Sequence, residues 1–435
     1  MFGPTADGRT GSGELGPRAR LRGTRRCDVA VVGAGLTGLS TAVELTELDP
    51  SLRVAVLDAD HVGAGASGRG TGLLGPRIGP SLARHRRRYG DEVARASYLW
   101  SIGAVDHVQR TVERFAIPCD LVPGSQLVVA PDRTTMRAQE EEAEAARELG
   151  VPVAPVPADA LPDHARRYRH ALRYGPAATL DPAVLTEHLA RIAERRGVTV
   201  HERSAARELR RGLRLQVITD HGRLVADHVV TAINAYGPGP GGPSGVLGLQ
   251  VQAGVTGRLP RPALDALATL ATEPVIEAGE ATPYFRLTVD GRMVVGGGAI
   301  RRGRLGSAAP APGRLREAVR RFHPLLAGVA VRTTWAGPVG ITRDGLPVVG
   351  RHPRDPRLHH ASGCNGHGLA VAVGNGVELA RQIVAGDGSD APALPWMRSR
   401  APWLPSGRLG GRVVDGYLSR LEPRSAPRSD HQEAS

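Results

Sequence analysis

Near the start of the chain, Val29–Val32 form an apolar run rich in branched residues and free of polar interruption. Such a run predicts a strand buried on both faces. Leu36, Leu39, Val43 and Leu45 then recur at helical intervals, and Arg53–Leu57 reads as a second strand. Residues 81–115 carry a helical pattern, with Leu99, Ile102 and Val105 on one face, and 133–149 a charged, Ala-rich one. Ser125–Ala130 between them reads as a strand. Asp181 as cap and Pro182 as first helical residue predict a helix to about Arg196, followed by a strand at Val198–His201. Leu213–Thr219 and Arg223–Ala226 flank a turn, and 228–236 reads as a buried strand. Tyr284–Thr288 and Met293–Gly297 flank Asp290-Gly291, a hairpin signal. A helix at Arg314–Phe322, a short strand at Leu358–Ala361 and a helix over about 369–385 complete the pattern. Residues 248–335 read as mostly antiparallel sheet inside an otherwise α/β order.

The first strand and helix are joined by Gly33, Gly35 and Gly38 in G-x-G-x-x-G spacing, and the second strand ends at Asp58. Each part has a mechanical reason in dinucleotide binding. The first glycine permits a sharp turn and the second a close approach to a pyrophosphate. The third permits close helix packing, and the acid accepts from a ribose hydroxyl. Residues 61–75 follow with a glycine density that forbids regular structure.

Length and charge narrow the picture. The 435 residues, 41% of them apolar, suggest two domains or one with an insertion. No apolar run approaches a membrane span. The Gly- and Arg-rich start lacks a signal-peptide core and reads as a disordered leader. Three cysteines without metal or redox spacing predict no metal and a reduced, cytoplasmic protein. The net charge of +13 comes without a single lysine, and the densest cluster is Arg84, Arg86, Arg87 and Arg88. With 3% aromatics and no nucleic-acid signature, the cluster reads as a solvated face and not a nucleic-acid site. From Gly388 the chain is Pro-rich, and 404–421 has the pattern of a peripheral helix.

The segments Val31–Ser40, Gly65–Arg69, Ala232–Tyr236, Trp335–Gly337 with Thr342–Pro347, and Asn365–Gly368 occur in one order. With them the chain resembles the FAD-dependent amine and amino-acid oxidoreductases of the D-amino-acid oxidase superfamily over about 27–385. The γ-glutamylputrescine oxidoreductase-like and glycine/sarcosine oxidase-like branch is the nearest in character. The resemblance implies an α/β fold with a discontinuous Rossmann-like FAD-binding domain from 24–110, 170–245 and 336–388. An α+β, mostly antiparallel substrate domain would use 111–169 and 246–335, with 1–23 a leader and 389–435 an extension. It implies FAD contacts from Gly33, Gly35, Leu36, Thr37, Gly38, Asp58 and Ala59 at the adenosine and pyrophosphate. Toward the flavin it implies Ala66, Ser67, Arg69, Gly70, Asn234, Gly337, Asp344, Asn365, Gly366, His367 and Gly368. Gly337 and Arg69–Gly70 stand where covalent members use Cys or His, so FAD is expected to be non-covalent. The helix after Gly368 is expected to point its N-terminus at the flavin edge that becomes negative on reduction.

The implied reaction is hydride transfer from the carbon of a small amine to flavin N5, giving an imine that hydrolyses, with O2 or another electron acceptor. Candidate catalytic residues are His367, Arg69, Tyr284 and Arg286. Tyr284 and Arg286 are two apart on a predicted strand and share a face. There Arg286 would clamp a carboxylate and Tyr284 close over it. His367 would polarise the ring or guide protons, or only cap its helix. Cys364 reads as packing, Trp335 as core, and Arg343–Asp344 as a local pair. Gly70, Thr71 and Cys364 depart from the family's common residues, and without lysine an oxidase could not use a Lys over the flavin. Two alternatives remain: another FAD-dependent dehydrogenase or monooxygenase, and a catalytically silent FAD-binding protein.

Overall fold

The computed structural model describes residues 18–236, 239–279, 283–297, 312–386 and 394–403. Val29–Val32 is the buried strand its pattern predicts, and it lies inside a six-stranded sheet. The order is Val348–His352, Asp355–Ser362, His228–Thr231, Val29–Val32, Val54–Leu57, Thr199–His201. Neighbours are parallel except for the antiparallel edge strand Val348–His352. Helix Leu36–Leu48 crosses between the first two strands in sequence, as a βαβ unit requires. Leu39, Leu189 and Val373 bring this helix, Pro182–Arg195 and Gly368–Ala385 into one core against the sheet. The opposite face is covered by a four-stranded sheet of Gly23–Arg26, Gly222–Ala226, Leu215–Ile218 and Glu208–Arg210. Apolar burial on both faces explains why the central strands read as unbroken apolar runs.

The expected leader is corrected here over 18–23. Leu21 is fully buried, Gly23–Arg26 pairs in register with Gly222–Val225, and Arg18 reaches three glutamates. Leu21 was an isolated apolar residue in polar sequence, so its burial depends on a sheet made about two hundred residues later. Residues 1–17 lie outside the described residues.

The second sheet runs Val331–Thr342, Val246–Arg258, Arg292–Gly296, Tyr284–Leu287, Val275–Glu277, Val122–Val129, Ala171–Thr179, Leu73–Leu74, with Val153–Val156 paired to Ala171–Thr179. The predicted hairpin is present, with Phe285 opposite Val295. Two expected boundaries move. Ala171–Thr179, assigned by sequence to the cofactor part, pairs with Val122–Val129 in this sheet. Its Gly175, Pro176 and alanines carry little strand propensity, so pairing and burial determine it. The strand Val331–Thr342 also runs unbroken through the expected boundary at 335/336. The helix over 81–115 is two, Leu82–Tyr89 and Asp91–Arg114, broken at Gly90 with φ +84°.

Within the expected C-terminal extension of 389–435, the segment 394–403 packs on the fold. Trp396 is fully buried with its ring 5.1 Å from Trp100, and 404–421 lies outside the described residues. No helix among the described residues is long and apolar enough to cross a membrane.

Strand Asp355–Ser362 buries two adjacent histidines, His359 and His360, at 1% and 0% exposure. Burial pushes His359 down to about 3, with neighbouring His228 adding to it, and His360 down to about 4. In the unfolded chain both protonate near the ordinary histidine value of 6.5. Stability is therefore fully present above that value and is lost as pH falls toward about 4, by up to ~1.4 kcal/mol per pH unit per histidine. Urea unfolding at pH 7 and pH 5 should show this loss, and His359→Leu should shrink it. An unchanged pH dependence in that variant would remove His359 from the account.

Candidate active site

The turn after Val29–Val32 is built by contact distances. Gly33 has φ +109°, and a Cβ there would lie 2.5 Å from the Ala232 carbonyl oxygen. A Cβ on Gly38 would lie 2.0 Å from the Gly33 oxygen. Side chains are thus excluded where the strand, the turn and the start of helix Leu36–Leu48 meet. Gly35 lies against Ser67, whose Oγ accepts from the Leu36 N–H at 2.9 Å. This bond ties the glycine-rich segment to the helix start. The Asp58 carboxylate accepts from the N–H of Ala34 and of Asp60, each at 2.9 Å. Burial raises the Asp58 carboxyl above its ordinary range, against these two bonds. A narrow turn, a helix N-terminus and an acid at the next strand end form a cradle that fits a dinucleotide pyrophosphate and ribose.

Further along, two asparagines in left-handed conformation hold the segment before helix Gly368–Ala385. Asn234 (φ +44°) accepts through Oδ1 from Gly363 N at 2.9 Å and Cys364 N at 3.3 Å. Asn365 (φ +51°) accepts through Oδ1 from Thr342 N at 2.9 Å, and its own N–H donates to the Gly340 carbonyl at 2.9 Å. Their amide oxygens therefore position backbone. His367 sits at the N-cap of the helix without any side-chain capping bond. Its Nδ1 is buried and has no partner among the described residues. Burial pushes the imidazole down to about 3, the positive charge of Arg77 adds to this, and the Asn365 carbonyl opposes it. The residue is half-buried, and the lowered value keeps its imidazole uncharged at neutral pH.

A model of the FAD dependent oxidoreductase (DAO) family matches residues 28–382. The chain belongs to that family. It is 28% identical to γ-glutamylputrescine oxidoreductase of Escherichia coli K12 over 405 residues, 88% of this chain and 91% of that one. Its fold is similar to that of glycine oxidase from Geobacillus kaustophilus, with TM-score 0.73 and 20% identity, covering 87% of this chain and all of that one. It is likewise similar to iminodiacetate oxidase from Chelativorans sp. BNC1, with TM-score 0.68 and 20% identity over 86% of this chain and all of that one. As a member of the DAO family the protein is an FAD-dependent oxidoreductase.

In this oxidoreductase, the residues available to hold FAD are the Gly33–Gly38 cradle with Asp58, the segment Ala66–Gly70, and the helix start Gly366–Gly368. Ala59, beside Asp58, is exposed. The aliphatic part of Arg69 lies across Gly337, where an added Cβ would be 3.3 Å away. Trp335, expected in the core, is half-buried instead, and its indole N–H donates to the Arg69 carbonyl at 2.9 Å. Tyr284 and Arg286 do share a face, and that face looks at the glycine-rich segment. Tyr284 bonds the Thr71 side chain, and Arg286 donates to the Thr71 carbonyl and, at 3.3 Å, to the Leu180 carbonyl. Burial pushes Arg286 down to about 10, against the pull of Asp181, Asp120 and Asp290. The expected carboxylate clamp is thus a brace for residues 71–72.

Asp344 is likewise redirected. It is bound by Arg398 at 2.6 and 2.9 Å, so the expected pair with Arg343 is corrected to one with a residue 54 positions on. Cys364 is buried, its thiol pushed up to about 12 by burial, in keeping with packing. Sequence reasoning missed Arg77. Its only signal was a position two residues past the glycine-rich segment, in Gly75-Pro-Arg-Ile-Gly79.

Proposed function

We propose that the protein oxidises the carbon–nitrogen bond of a small primary or secondary amine or amino acid, with FAD held non-covalently. The observation that carries this is His367: an imidazole whose buried Nδ1 has no partner among the described residues, at the head of helix Gly368–Ala385. Bound FAD would supply the two-electron oxidant for the C–N bond, the product being an imine that water hydrolyses. The chain supplies position and electrostatics. The start of helix Gly368–Ala385 offers backbone N–H groups and the positive end of a dipole, an environment that favours added negative charge beside it. The neutral His367 and nearby Arg77 disfavour an ammonium ion, so an amine binds there uncharged and needs no strong base. His367 can then take or relay a proton at Nδ1. Arg69, Ser67 and Trp335 hold the glycine-rich segment in place over Gly337. The named substrates of the relatives, a putrescine derivative, glycine and iminodiacetate, all carry an oxidisable C–N bond and support the same class.

Anaerobic mixing of the FAD-loaded protein with a panel of amines and amino acids is the test. Bleaching of the flavin by at least one of them is the expected result. Bleaching by NADPH alone, or by nothing in the panel, would overturn the reading.

A further inference from the structure

Glu202 follows strand Thr199–His201, is buried, and serves two segments that are far apart in the chain. Its Oε1 accepts from the Val62 N–H at 3.0 Å and from the Arg18 guanidinium at 3.3 Å. The loop around it is laced to the end of the neighbouring strand. Asp58 N donates to the His201 carbonyl at 2.9 Å, and Ser204 N to the Asp58 carbonyl at 2.7 Å. Arg203, with φ +48°, donates its N–H to the Asp60 carbonyl at 2.7 Å. Glu202 reaches further along, to Val62. The next residue, Gly63, donates to the Ala34 carbonyl at 3.0 Å, and its own carbonyl accepts from Gly68 N at 3.0 Å. A Cβ on Gly68 would lie 2.5 Å from the Gly63 oxygen, so 63–68 is a tightly closed turn. That turn carries Ser67, which holds the Leu36 N–H. One buried carboxylate thus fastens the entry to a turn that meets the Gly33–Gly38 cradle at both Ala34 and Leu36.

The carboxylate is itself held from outside. Besides the Arg18 contact, Leu21 N donates to Ser204 Oγ at 2.9 Å, and that hydroxyl donates to the Glu202 carbonyl at 2.8 Å. The chain then continues as strand Gly23–Arg26 beside Gly222–Val225. A buried N–H deprived of its acceptor costs its full desolvation, so the Val62 amide moves if Glu202 is lost. Binding groups work only when the residues behind them fix their positions closely. We propose that Glu202 is a positioning residue for FAD. Through Val62 it sets the turn 63–68 against the cradle, and the segment 18–26 is the strap that keeps it there. The proposal concerns retention of the cofactor and is independent of which substrate is oxidised.

The test follows release of FAD from the full-length holoprotein on dilution, by the rise in free-flavin fluorescence, beside melting temperature and hydrogen exchange. Glu202→Leu leaves the buried Val62 donor without an acceptor and should raise the Kd for FAD about tenfold. Glu202→Gln keeps an acceptor there and should recover most of the wild-type retention. Glu194→Gln loses a bond to the same arginine without touching Val62. It should lower the melting temperature and leave FAD release unchanged. Arg18→Gln should speed release in the direction of Glu202→Leu. As a measurement free of substitutions, the Val62 amide in the wild-type holoprotein should exchange as slowly as that of Gly33, which donates to the Leu57 carbonyl. Equal release in wild type and Glu202→Leu, equal weakening by Leu and Gln, release that follows melting temperature in Glu194→Gln as well, or fast exchange at Val62 would overturn the proposal. Release indifferent to Arg18→Gln would overturn the strap. None of these outcomes depends on whether an amine bleaches the flavin, so failure here and failure of the oxidation reading are told apart.

Discussion

Gly33→Ala yields protein that purifies without FAD. The residue has φ +109°, a conformation in which a side chain costs about 1–3 kcal/mol. The added methyl would also lie 2.5 Å from the Ala232 oxygen, and neither backbone can retreat. Gly33 N donates to the Leu57 carbonyl at 2.7 Å, and Ala232 N donates to the Val32 carbonyl at 2.8 Å. The turn is thus clamped between strands on both sides. Relief requires lifting the start of helix Leu36–Leu48, which carries the N–H groups meant for the pyrophosphate away from it. Overpacking a tight site costs about another 1–3 kcal/mol. Flavin absorbance per protein should fall from stoichiometric to near zero, with a lowered melting temperature. A variant with full FAD content and the native melt would show that the turn is not the constraint inferred from its contacts.

Arg18→Met produces the largest loss of stability expected outside the cofactor cradle. Arg18 is the shared counter-ion of Glu187 at 2.9 Å, Glu194 at 2.7 Å and Glu202 at 3.3 Å. Glu202 also accepts from Val62 N at 3.0 Å, at the entry to the glycine-rich segment. Without Arg18, three carboxylates face one another, and among the described residues only Glu187 keeps another arginine, Arg191 at 3.1 Å. Breaking a buried pair costs about 3–5 kcal/mol, and about 3 is expected here because Glu187 and Glu194 retain some water. Urea unfolding should show that loss, and Glu202→Gln in the same background should restore part of it. A change below about 1 kcal/mol would place Arg18 among ordinary surface charges.

The electrostatic role of the histidines differs from that of the ion pairs. The Asp344 carboxyl is raised by burial, but its bonds to Arg398 outweigh this and leave it below its ordinary range. That pair contributes stability above the usual carboxylate range and loses it as pH falls through the lowered value. His359 and His360 lose theirs at higher pH, between their unfolded value and about 4. Acid unfolding should therefore begin in the histidine range.

Sequence alone determined the features written in local periodicity. Val29–Val32, Gly33 to Gly38, helix Leu36–Leu48 and the hairpin around Asp290-Gly291 each follow from spacing within one or two elements, because strand burial, turn conformation and helical faces are short-range properties. The shared face of Tyr284 and Arg286 was legible for the same reason. What that face meets was not. Tertiary structure decided that Arg286 braces the Thr71 and Leu180 carbonyls, that Asp344 pairs with Arg398, that Arg18 and Leu21 belong to the fold, and that the Arg77 side chain has no partner among the described residues. With every basic residue an arginine, composition cannot rank one above another. Only burial and the location of carboxylates and carbonyls, brought together from 50 to 200 positions away, separate a brace from a side chain without such partners.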